Sequence, residues 1–283
     1  IDDVQEAFQF FDSQNARGKE LEPHDLLKAF HLREMSKSTE DAKIKVVEEW
    51  ENLESKELTN LFANYLFKIR NWSKGNSAYY FTKNDIDIFK GVNIETQNYP
   101  FMKQLQINNY YVDKQNEAER VNNYHFDYPF QIDQIVINGK RFFEMVIYYN
   151  NLIKDINALK ESFKKDTVEY DILNTLDTYK GHNRSGDRYV RNMFNCALVY
   201  YIDKFAKIDL DRAIKRLFIW AYNLRFKLYS VKLVSVDNYA SDEKSIFRKI
   251  YYAVNHNEIL LLNINSIKKE EMKRKIKEFE KFI

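Results

Sequence analysis

Apolar residues recur along most of this chain every three or four positions, the period of an amphipathic α-helix. From Asp41 to Trp72, the residues Val46, Val47, Trp50, Leu53, Leu61, Phe62, Tyr65, Leu66 and Ile69 share a face and predict one long helix. Further helices are expected over Val168–Tyr179, Tyr189–Phe205 and Leu210–Leu228. In the last of these, Leu210, Ala213, Ile214, Leu217, Phe218, Ala221, Leu224 and Leu228 form a stripe wide enough for a core helix. After the short apolar run Val231–Val236, another helix is predicted from Asp242 to Val254, with His256 beside its carboxyl end. Thr82 with Asp85 three residues on suits a helix start, and Gly91 suits that helix's left-handed end.

Between Tyr99 and Asn138 the pattern changes. Phe101, Leu105 and Ile107 suggest a helix, Asp113 to Asn123 reads as an exposed loop, and Phe130, Ile132, Ile135 and Ile137 alternate as in a short strand. Asn138-Gly139 is a hairpin dipeptide, yet Phe142, Phe143, Val146, Ile147, Leu152 and Ile153 return to helical spacing. An extended segment turning into a helix is the expectation. The fold class is therefore all-α: long amphipathic helices with at most a small extended element near 130–137. The Lys- and Glu-rich stretch Ser266–Ile283, with Ile267, Met272, Ile276 and Phe279 at helical spacing, reads as an amphipathic helix or a linker.

Composition narrows this picture further. At 283 residues the chain is long enough for a sizeable core, and 6 Gly and 3 Pro are too few for a turn-rich β fold. The 20 Tyr and 21 Phe are an excess that coding bias of an AT-rich genome accounts for in large part. Cys196 stands alone, which rules out an intramolecular disulfide and suits a reducing cytoplasm. No apolar run approaches the ~20 residues of a membrane span. A net charge of +2, from 44 basic and 42 acidic residues, is too balanced to announce a nucleic-acid binder, so any basic surface must arise from clustering.

Two segments carry candidate chemistry. In the first, Phe8 to Ala29, a helix-like stretch (Val4, Ala7, Phe8, Phe11) enters the turn Asn15-Ala16-Arg17-Gly18, then Leu21, Pro23 and a second amphipathic stretch. Gly18 tolerates positive φ and Asn15 caps such turns; Pro23 suits the first helical turn, and Asp25 complements the helix dipole. A guanidinium such as that of Arg17 binds phosphate in two-point fashion. The second segment is Gly181-His182-Asn183-Arg184-Ser185-Gly186-Asp187-Arg188-Tyr189-Val190-Arg191. With Asp187 as N-cap, Arg188 and Arg191 project from the first turn. Cations there oppose the dipole by ~0.3–1 kcal/mol, so they need either carboxylate partners or a bound anion.

Both segments, with FDYPFQIDQ, INGKRFFEMV and RYVRNMF, resemble the GmrSD-type restriction-endonuclease family of prokaryotic DNA defence. In that family the first pattern stands downstream of an Asp-Gly-Gln-Gln-Arg motif on a ParB-like, nucleotide-hydrolysing domain, and this chain has no such motif. The resemblance implies a piece of a larger protein: residues 1–35 ending a ParB-like domain as a helix-turn-helix, residues 36–265 a helical domain, and residues 266–283 a charged tail. It also implies a role in nucleotide or DNA phosphate binding by Asn15, Arg17, Gly18, Arg184, Arg188 and Arg191, coupled to the absent catalytic domain. Nucleotide triphosphate and a divalent metal would belong to the full-length protein, with no cofactor in this chain. Its partners would be DNA, the missing amino- and carboxyl-terminal domains, and a second copy in a homo-oligomer, with no membrane involved.

The remaining residues point to no catalytic group. His24, His31, His125, His182 and His256 lack paired metal-ligand spacing, and one Cys excludes the usual zinc frameworks. Tyrosine pairs such as Tyr79-Tyr80, Tyr110-Tyr111 and Tyr200-Tyr201 stack on bases in some proteins, but more often one ring packs in a core. The alternative function is a non-catalytic structural or protein-interaction module. It predicts arginines paired with carboxylates and an exposed apolar patch.

Overall fold

The computed structural model describes residues 21–117, 125–264 and 267–282. Among these residues every regular element is helical, and extended pairing is confined to one isolated parallel bridge between Val92 and Ile137. The protein is all-α, as the periodicity predicts. Its helices are α1 Pro23–Glu34, α2 Glu40–Glu51, α3 Ser55–Thr59, α4 Phe67–Trp72, α5 Met102–Glu117, α6 Lys140–Asn157, α7 Val168–Thr178, α8 Ser185–Phe205, α9 Leu210–Lys227, α10 Leu233–Ser241, α11 Ile246–Tyr252 and α12 Asn257–Leu260. They fall into two compact units, Ile1–Thr59 with Phe81–Tyr149 and Asn60–Tyr80 with Asn150–Ile283.

The expected long helix over Asp41–Trp72 is broken. Its stripe runs through buried Val46 and Trp50, but the next position four residues on is exposed Glu54, so burial no longer rewards continuity. The chain turns at Asn52, resumes as α3, widens into a π-helix over Asn60–Leu66 and tightens again as α4. Asn64 lies in the widened turn, and its carbonyl accepts from Asn192 Nδ2 (3.1 Å) and Cys196 Sγ (3.0 Å).

Other expected boundaries also move. Asp113 to Glu117 continue α5, while positions 118–123 of the expected loop lie outside the described residues. The apolar run Val231–Val236 leads into α10 rather than standing alone, and Ser245 caps a separate α11 by accepting from Arg248 N–H. No strand forms over Phe130–Ile135; only Ile137 joins the bridge. The charged tail holds 3-10 turns at Lys269–Glu271 and Lys277–Phe282 instead of one helix.

In the first unit, Trp50, Phe142 and Phe143 pack ring on ring, and the buried His31 ring stacks on Phe142 with centroids 3.6 Å apart. A satellite cluster of Val112, Tyr128 and Ile137 closes over Leu105, Phe126 and Phe130. In the second unit, α8 and α9 form the centre, and α7, α10 and α11 pack around them. Phe279, fully buried, fills a cage of Tyr179, Phe218, Tyr222 and Phe226, which fixes the tail to this unit.

Candidate functional site

The direction of three helices creates the candidate site. Buried Asp187, in the first turn of α8, meets Arg225 in the last turn of α9, so these helices are antiparallel. Helix α10 starts just after α9 ends and runs back beside it, until Tyr239 stacks on Trp220 and donates its hydroxyl to the Trp220 carbonyl (2.9 Å). It therefore runs in the same direction as α8, and both amino termini lie at one end of the unit. Gly186 permits their approach: a Cβ there would stand 2.6 Å from the Val231 carbonyl oxygen, too close for any side chain.

Both ends are capped unusually. The N-cap residues are Arg184 and Lys232, and neither side chain caps its helix, whereas Ser, Thr, Asp or Asn is the usual choice. Two positive dipole ends thus stand together with basic side chains around them. Arg184, Arg188, Lys227 and Lys232 are exposed and form no ion pair with a described residue. Tyr229, in the loop between α9 and α10, is 72% exposed. An anion placed here would meet backbone N–H groups, cationic side chains and two aligned dipoles.

Of the six residues expected to bind phosphate, the structure brings two to the exposed end. Asn15, Arg17 and Gly18 lie outside the described residues. Arg184 and Arg188 share the exposed end, with the Arg184 guanidinium folded over Gly181, whose φ is +110°. Arg191 turns inward instead. Its Nη1 donates to the Leu176 carbonyl (3.1 Å) and lies 3.7 Å from Asp177, so it serves the carboxyl end of α7.

Asp187 is not the N-cap. It sits three positions into the helix, because the Arg225 guanidinium and the Tyr179 hydroxyl draw its carboxylate inside. Burial pushes the Tyr179 and Tyr222 phenols far up, so both stay neutral beside that pair, and Tyr179 is the one that donates to Asp187. Arg225 went unread in the sequence, although a signal existed: it falls four residues after Ala221 on the apolar stripe, where a charge implies a buried partner. Lys232 offered no signal, since its role depends on which helix ends meet.

His256 is the N-cap of α12 rather than a neighbour of a carboxyl end, and its Nε2 lies 3.0 Å from Asp209. His182, next to the arginine end, keeps a buried Nδ1 without a hydrogen-bond partner among the described residues. No group of three His, Cys, Asp or Glu residues among the described residues is placed to hold a metal ion. Nor is any described helix long and apolar enough to cross a membrane.

No curated protein and no solved structure matches the chain. A family of unknown function (DUF7834) does match it over residues 42–279, a span that takes in α3 to α12 and the whole arginine end. The chain belongs to that family.

Proposed function

We propose that this chain is the helical region of a GmrSD-like DNA-defence protein, and that the shared amino-terminal end of α8 and α10 binds a phosphate of DNA or nucleotide. One observation carries the reading. Arg184 and Arg188 remain exposed and unpaired with any described carboxylate, while Asp187, the acidic residue of the same turn, is committed to buried Arg225. The cations therefore add to the helix dipoles instead of being neutralised, an arrangement that a phosphate stabilises. Catalysis would lie in another part of the full-length protein, and this end would position the nucleic acid or couple its binding to that part.

A second reading, a non-catalytic protein-interaction module, is favoured by the inward pairing of Arg191 and by the exposed apolar face of α5. Binding of labelled single-stranded and duplex DNA at two salt concentrations separates the two. The phosphate reading expects salt-sensitive binding, lost in an Arg184→Ala/Arg188→Ala variant and little changed in Arg191→Ala. If binding is absent at low salt, or all three arginines matter equally, the phosphate reading fails.

A further inference from the structure

Helix α5 is apolar on two opposite sides. Met102, Leu105 and Val112 face the core of the first unit, and Asn109 and Asn116 on the same side bond Arg141 and the Phe126 backbone. The other side should be polar in a helix packed on one face only. It carries Ile107, 61% exposed, Tyr110, 65% exposed, and Tyr111, 53% exposed, with Phe101 and Tyr99 stacked on each other just before the helix. Contiguous exposure of large apolar side chains on this scale marks an interaction surface.

The spacing on that face identifies its partner. Lys103, Ile107, Tyr110, Lys114 and Glu117 follow one another at intervals of four and three, the seam of a helix that packs against another helix. Lys103 and Glu117 stand seven positions either side of Tyr110. When two copies of α5 lie antiparallel about a two-fold axis at Tyr110, each Lys103 meets the Glu117 of the other copy. Each Ile107 then packs beside Tyr110 and the aliphatic stem of Lys114. The seam is thus self-complementary in charge and in register, as a two-fold interface requires. Glu117 is free to change partner, because its present ion pair with Lys114 (2.6 Å) is exposed on both sides.

We infer that α5 is a homodimerisation helix, pairing antiparallel with α5 of a second copy of this chain. The inference stands apart from the phosphate reading and uses none of its residues. A helix of 16 residues spans only about 24 Å, so the dimer is expected to be weak and to dissociate on dilution.

The test is sedimentation of the full chain over a wide range of concentration, with circular dichroism to verify folding. Mass should rise toward twice that of the monomer as concentration increases. Tyr110→Glu, which places like charges on the axis, should remain monomeric throughout. Lys103→Glu and Glu117→Lys should each raise the dissociation constant about tenfold, roughly 1.4 kcal/mol, and the double variant should restore it. Tyr110→Cys should form a disulfide-linked dimer under mild oxidation, which the wild-type chain with only buried Cys196 should not. A monomer at every concentration, or a double variant that fails to restore association, overturns the proposal. So does a nucleic acid or unrelated protein that binds this face without obeying the charge swap.

Discussion

Arg225 and Asp187 form a two-point ion pair inside the second unit, with Nε 2.6 Å from Oδ1 and Nη2 3.3 Å from Oδ2, both side chains almost wholly buried. The Tyr179 hydroxyl adds a third hydrogen bond at 2.7 Å, and Arg225 Nη1 reaches the Leu228 carbonyl. Removing one partner leaves the other charge buried and alone. Asp187→Asn or Arg225→Met should each lower stability by about 3–5 kcal/mol. The joint replacement Asp187→Leu/Arg225→Met should cost much less, since no orphan charge remains. Urea unfolding read by hydrogen exchange in α8 and α9 checks this. Equal losses for the single and joint variants would show that the pair is not what holds these helix ends together.

Gly91 marks a different constraint, one of space. A Cβ at this position would lie 1.8 Å from the Val136 carbonyl oxygen. The close approach is what allows Val92 N–H to reach Val136 O (3.0 Å), Asn138 N–H to reach Val92 O (2.8 Å) and Gly91 N–H to reach Asn138 Oδ1 (2.8 Å). Gly91→Ala must separate these segments and should cost more than about 2 kcal/mol. Gly139→Ala, strained by a φ of +80°, should cost about 1–2 kcal/mol. Thermal unfolding of the two variants gives the ranking, and a Gly91→Ala protein as stable as wild type would refute the spatial argument.

These two sites show what the sequence could and could not disclose. Helical periodicity identified α7, α8 and α9 to within a few residues, because each buries a continuous stripe and the local pattern reports that burial. Thr82 and Asp85 were legible for a similar reason. Their reciprocal cap is formed by neighbours three apart, although the helix that follows is 3-10 rather than α. Gly91 was misread as a left-handed helix end, since a single sequence cannot distinguish a glycine needed for φ from one needed for space. The arginine end was half legible. Arg184 and Arg188 stood out by clustering, but the pairing of Arg191 with α7 depends on tertiary neighbours. So does the meeting of α8 and α10 at Gly186.

Cys196 should be chemically silent in the folded protein. It is fully buried, its thiol donates to the Asn64 carbonyl, and burial pushes its pKa up to about 12. Little thiolate exists under mildly alkaline conditions, and reagents have no route to it. Alkylation should therefore proceed only as fast as α8 opens from the π-helix segment, accelerating in urea. Rapid labelling of the native chain would contradict the packing described for Asn64, Asn192 and Cys196.

His31 makes the stability of the first unit depend on acidity. Its Nδ1 accepts from Gly139 N–H (3.3 Å), which leaves Nε2 protonated to donate to the Phe89 carbonyl (3.2 Å), and the ring stacks on Phe142. Burial lowers its pKa from 6.5 to about 3; the Phe89 hydrogen bond opposes the shift, and nearby Lys90 adds to it. The folded state thus keeps a neutral ring where the unfolded chain takes up a proton. That difference stabilises the unfolded side as pH falls from 6.5 toward 3, by about 1.4 kcal/mol per pH unit. His24, also lowered by burial, contributes with the same sign, so the comparison must be with a His31→Gln variant. Between pH 6.5 and 5, before carboxylates titrate, the wild-type first unit should lose stability more steeply than the variant. Ring-nitrogen NMR should show His31 still neutral at the lower end of that range. A charged ring there, or parallel slopes for the two proteins, would mean that proton uptake at His31 is not coupled to unfolding.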